Sequence, residues 1–162
     1  MNKPTEAYPL AWPTGWKRTP ALNRTRAKFG KKEFVDRGLS ADGKQLGWYS
    51  KGQLSIAQGT ERVLNVLNQM GFNKSVVISS NLALRNDGLP RSAQRAPDDP
   101  GVAVYWGQGQ KARCIAVDRY DRVADNLAAI AATLEAMRAI ERHGGAAILD
   151  RAFTGFTALP AP

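Results

Sequence analysis

The chain has 162 residues, 43% of them apolar and 23% charged, which fits one domain of ordinary size and excludes wholesale disorder. Against 14 Asp and Glu stand 23 Lys and Arg, giving a formal charge of +9 and a pI near 10.1. A polyanion is therefore the first partner to consider.

No apolar run approaches the roughly 18 residues of a membrane span, and Met1-Asn2-Lys3-Pro4 leads into polar, Pro-rich sequence rather than a signal core. The expectation is a soluble, cytoplasmic protein with no membrane partner. One cysteine, Cys114, and one histidine, His143, exclude an intramolecular disulfide and a Cys/His zinc site. No cofactor, metal or catalytic residue is assigned.

The charge is unevenly placed. Residues 1–50 carry 10 basic and 4 acidic groups, residues 51–95 carry 6 and 2, and residues 96–162 carry 7 and 8. Any electrostatic footprint belongs to the first 95 residues.

Residues 1–20 hold Pro4, Pro9, Pro13 and Pro20, which forbid a regular helix and predict an extended arm. Its aromatics Tyr8, Trp12 and Trp16 lie near Lys17 and Arg18, an arrangement that suits docking onto the body or stacking on unpaired bases; docking is the preferred reading, because three exposed large aromatics are costly. A basic run follows with Arg24, Arg26, Lys28, Lys31, Lys32 and Arg37, interleaved with Phe29 and Phe34. It reads either as a solvated segment or as a phosphate-tracking strip. Gly38 to Gly52, around Trp48 and Tyr49, predicts a loop or an irregular hairpin.

Ser55 with Gln58 three residues on has the spacing of a capping box, and Ile56, Val63, Leu67 and Met70 recur on one helical face until Gly71, predicting a helix over 55–70. Val76 to Ser79 reads as a short buried strand. Asn81 to Pro100 reads as a long loop carrying Arg85, Arg91 and Arg95, either a surface connection or a contact for phosphate or a partner. Val102 to Trp106 and Ala112 to Val117, joined by Gly107-Gln108-Gly109-Gln110, predict a β-hairpin.

From Tyr120 the apolar residues Val123, Leu127, Ile130, Leu134 and Met137 step by three and four to Gly144-Gly145, predicting a long helix over 119–143 with Asp118 as N-cap. Its seam suits packing on a sheet or pairing with a second chain. Ile148, Leu149, Phe153 and Phe156 predict a short helix and an extended apolar end.

The expected fold is α+β: a small sheet of three or more strands with a central β-hairpin, backed by two main helices of which the C-terminal one is long, and preceded by an extended N-terminal arm. Residues 1–162 make a single domain, with 1–52 the basic, aromatic arm and loop region and 53–162 an α-β-β-β-α core.

The acids Asp98, Asp99, Asp118, Asp121 and Asp125 invite a magnesium-dependent nuclease reading. The element order resembles that of restriction-endonuclease-like nucleases, but Val117-Asp118-Arg119-Tyr120 stands where that pattern has its essential lysine. Helix capping and turn chemistry explain these acids without catalysis.

Tyr8-Pro9-Leu10-Ala11-Trp12-Pro13, Asp87-Gly88-Leu89-Pro90-Arg91-Ser92, Asp99-Pro100-Gly101-Val102-Ala103-Val104-Tyr105-Trp106 and Ala152-Phe153-Thr154-Gly155-Phe156 together resemble an uncharacterised family of bacterial phage and integrative-element proteins. Longer members continue into a J domain, whose His-Pro-Asp motif is absent here. The resemblance implies a mobile-element context and no catalytic residues.

The functional expectation is non-enzymatic binding of DNA or RNA, single strands favoured, with a protein-interaction module and a nuclease as alternatives. Phosphate contacts are assigned to Lys17, Arg18, Arg24, Arg26, Lys28, Lys31, Lys32, Arg85, Arg91 and Arg95, and stacking to Trp16, Phe29, Trp48 and Tyr49. A host or element-encoded protein, or a second copy docked through helix 119–143, completes the set of expected partners.

Overall fold

In the computed structural model, residues 5–27, 29–30, 32–145, 147–148 and 151 are described. Strands β1 (Lys32–Leu39) and β2 (Gln45–Lys51) form a two-stranded antiparallel ribbon. Helix α1 (Ile56–Gln69) follows. Then come β3 (Val77–Ser80), β4 (Val102–Trp106) and β5 (Arg113–Val117), an antiparallel sheet in that order, and α2 (Val123–Arg142). The fold class is the expected α+β, and the α-β-β-β-α order of the core is as read from the sequence.

Helix α1 begins at the predicted capping box. Ser55 Oγ accepts from the Gln58 N–H, and Gln58 Oε1 accepts from the Ser55 N–H. Ser55→Ala removes one of these bonds and should cost about 1 kcal/mol in urea unfolding. From this start, Val63, Val66 and Leu67 turn inward to meet Ile78, Val104 and Ile115 from the sheet and Leu127, Ile130 and Leu134 from α2. Each of the larger side chains contributes roughly 1.5–3 kcal/mol by leaving water.

The seam of α2 is taken up by this core: Val123, Leu127, Ile130, Leu134 and Met137 are all buried within the chain. A second copy docked through that seam, one of the two expected uses, has no apolar stripe left to bind. The helix also starts later than expected. Its N-cap is Arg122, without a side-chain capping bond, and Asp118 does other work. The turn before α2 is held by Asn126, fully buried, which donates to Pro100 O and Tyr120 O and accepts from the Tyr120 N–H. At its far end His143 is exposed. Ala147, Ile148 and Arg151 are helical, while Leu149, Phe153, Phe156 and the expected extended apolar end lie outside the described residues.

The arm makes a third layer. On the sheet face away from the helices, Ser79, Ala103, Cys114 and Ala116 are small and buried, so backbone can approach closely. Ser79 Oγ donates to Glu6 O and accepts from the Ala11 N–H, Tyr105 OH donates to Ala11 O, and the Ser80 N–H donates to Ala7 O beside the outer edge of β3. Docking is thus the observed state of the arm. Burial pushes the Tyr105 hydroxyl up to about 12 and the Cys114 thiol to about 11, leaving both protonated at neutral pH. No helix among the described residues is long and apolar enough to cross a membrane.

Candidate nucleic-acid interface

Two carboxylates and two arginines fix the last stretch of the arm. Arg18 Nε donates to Asp118 Oδ2 at 2.8 Å and Arg18 Nη2 to Asp99 Oδ1, while the Thr19 N–H donates to Asp118 Oδ2 at 3.0 Å. Arg24 donates to Asp118 O through Nε, and its Nη2 lies 3.5 Å from Asp99 and 3.8 Å from Asp118. Burial alone would raise both carboxyls. The Arg18 guanidinium, aided by the Gly101 N–H at Asp99 and the Thr19 N–H at Asp118, outweighs it and holds both below the ordinary carboxylate value. Immediately after, Thr25 bridges to Tyr120 as a parallel pair.

Of the ten expected phosphate contacts, Arg18 and Arg24 therefore face internal acids, and Arg24 is only 11% exposed. Arg26 pairs with Asp121 at 3.7 Å and Arg85 with Asp87 at 2.9 Å, both on the surface. Lys17, Arg91 and Arg95 are exposed and form no ion pair among the described residues. Lys28 and Lys31 lie outside the described residues, and Lys32 opens β1. Of the seven whose side chains are described, Arg18 and Arg24 tie the arm to Asp99 and Asp118, while Arg85, Arg91 and Arg95 stand on the 81–100 segment. That segment is tied down by Gln94, whose side chain bonds both backbone groups of Ala83 and the carbonyl of Arg91, and by Ser92 Oγ, which accepts from the Ala57 N–H at the start of α1.

The four expected stacking groups divide in the same way. Trp16 packs partly buried against the core, and Phe29 packs against Leu54, Ala124 and Ala128 with its ring edge-on to Tyr120. Trp48 and Tyr49 remain 48% and 71% exposed on the ribbon. Of the two readings of residues 38–52, a loop or an irregular hairpin, the hairpin is observed: they supply the whole of β2, paired with β1 in regular register except for a bulge at Arg37. The turn between them runs through Asp42-Gly43, with the Ser40 N–H donating to Lys44 O.

Successive ribbon residues alternate between faces. Phe34 lies opposite Tyr49 on one face, their ring centroids 5.3 Å apart at 64°. Val35 lies opposite Trp48 on the other, and the Arg37 guanidinium sits 5.0 Å from the Trp48 ring centroid. Sequence reasoning assigned neither Phe34 nor Arg37 to the site. The Asp42-Gly43 turn signal between two β-prone runs would have placed them on a hairpin.

Four of the five acids considered for metal chemistry are faced by arginines. Asp99 and Asp118 face arginines, Asp121 faces Arg26, and Asp125 is buried with Arg122 at 3.7 Å. Among the described residues no three His, Cys, Asp or Glu side chains converge. No protein-family model matches the chain, and neither a curated protein nor a solved structure does.

Proposed function

We propose that this chain is a non-enzymatic nucleic-acid-binding protein, with single strands favoured over duplex. The observation that supports it most is the exposure of Trp48 and Tyr49 on a ribbon belonging to the positively charged first 95 residues. Aromatic faces accept any unpaired base, and cations draw the backbone in. Lys17, Arg91 and Arg95 supply charge not already neutralised by internal acids. The resemblance to phage and integrative-element proteins fits a setting in which single strands arise.

Fluorescence anisotropy with labelled single- and double-stranded oligonucleotides across a salt series tests the reading. Affinity should fall linearly with salt on logarithmic axes. Replacing Lys17, Arg91 and Arg95 by Gln should flatten that slope by about 0.7 for each phosphate no longer neutralised. Absence of binding to DNA and RNA of either form at low salt overturns the proposal.

A protein partner is the second reading, and one observation favours it. Val35, Leu39 and Leu46 are exposed on the same ribbon, and aliphatic side chains add nothing to base stacking. Exposed apolar patches of this kind mark protein contacts.

A further inference from the structure

Among the described residues ten large apolar side chains stand exposed, and six of them lie on the ribbon: Phe34, Val35, Leu39, Leu46, Trp48 and Tyr49. The two faces differ in chemistry. The Trp48 face is partly covered by its own Arg37, with Val35 opposite Trp48 and the Glu33–Ser50 register pair toward the root. The opposite face carries the Phe34–Tyr49 ring pair, and the charged positions along it follow a direction.

Resting on the nucleic-acid reading, we infer that the Phe34–Tyr49 face is the platform on which unpaired bases of a single strand stack, the strand entering from the root of the ribbon. The edge-to-face contact between the rings steadies them, with the Phe34 ring lying over Gly47, while Tyr49 stays open to solvent. Two register positions toward the root, Lys32 stands opposite Lys51. At about 3.3 Å per residue this register position lies roughly 7 Å along the strand, the spacing of a phosphate flanking a stacked base. Two positions toward the tip, on the same face, is Asp36, bonded by Gln45 at 3.4 Å. Its carboxylate repels phosphate on the tip side of the ring pair. By register the face thus passes from the Lys32 and Lys51 positions at the root through the aromatics to Asp36, with Leu39 opposite Gln45 beyond it, and open rings stack unpaired bases, whereas the bases of duplex are already stacked.

The test uses labelled oligothymidylate and a duplex of equal length with the full chain. Replacing both Phe34 and Tyr49 by Ala should weaken oligothymidylate binding roughly tenfold or more while changing duplex binding little. Tyr49→Phe keeps the ring and should retain affinity. Without any substitution, amide resonances of residues 32–36 and 47–51 should shift most on titration with oligothymidylate. If the chain binds oligothymidylate but the double variant binds it equally well, or the shifts fall only elsewhere, the platform is wrong and the broader nucleic-acid reading survives. If the chain binds neither probe, both fail. Should sedimentation show a dimer that the double variant dissociates, with oligothymidylate affinity unchanged, the face belongs to a second copy.

Discussion

Replacing Asp118 by Ala should lower the stability of this chain by about 3–5 kcal/mol, the cost typical of removing one partner from a buried ion pair. The side chain is only 4% exposed and serves Arg18, Arg24 and the Thr19 N–H together. Its removal leaves Arg24, itself 11% exposed, without its buried counter-charge, and orphans a backbone donor. Domains of this size have some 5–15 kcal/mol in all, so at least a fifth of the total is at stake. Asp99 is a useful contrast. It is 35% exposed, and its partner Arg18 38%, so solvent screens that pair and Asp99→Ala should cost no more than about 1 kcal/mol. Urea unfolding gives the difference, and limited proteolysis should show cleavage within 5–27 appearing in the Asp118 variant first. An Asp118→Ala chain as stable and as protease-resistant as the parent would sink this account of the arm.

The same latch sets an acid limb. Both carboxyls titrate below their ordinary value when folded, so each contributes stability that is fully present above the unfolded value near 3.8 and is lost as pH falls through the folded one. The parent chain should therefore lose stability as pH falls below about 4. In Asp118→Ala that limb should be shallower, because one of the two groups is gone. Equal limbs in the two chains would assign acid sensitivity to other carboxyls.

Where one face of an element is buried, the sequence announced it. The alternating steps of α2 and the short apolar runs of β4 and β5 record contact with one continuous core, and the Ser55–Gln58 spacing records the cap of α1. The ribbon was obscure for the complementary reason. Phe34 and Val35 are adjacent and point to opposite faces, and both are exposed. With neither face buried, no period-two contrast between apolar and polar residues arises, and only the Asp42-Gly43 turn betrays the hairpin. The arm latch was hidden by distance. Asp at the entrance to a helix has the composition of an N-cap, and nothing local distinguishes that role from an acceptor for arginines about a hundred residues away; the arm's arrival decides it. Hence Arg18 and Arg24 read in sequence as surface cations like Lys17, although their surroundings differ.

Gly30→Ala should dissolve the ribbon while leaving the helix-backed sheet intact. A Cβ at position 30 would lie 1.6 Å from the Gly52 carbonyl oxygen and 2.9 Å from its carbon. Backbone, not a movable side chain, is in the way, so the two chains at the root of the ribbon must separate. Overpacking of this order costs about 1–3 kcal/mol in a core that can share the strain among many neighbours. A two-stranded ribbon with both faces in solvent has little to set against it, since isolated hairpins are marginal in water. Local opening is the response of lower energy. Amide exchange should thus lose its protection across 34–49 in Gly30→Ala and keep it in β3, β4 and β5, with the global unfolding transition shifted little. Binding of oligothymidylate should weaken at least as much as in the Phe34 and Tyr49 double variant, because the register that sets those rings opposite each other is gone. A Gly30→Ala chain with protected ribbon amides would show that the root tolerates a side chain and that Phe34 and Tyr49 are held in place by contacts further along the strands.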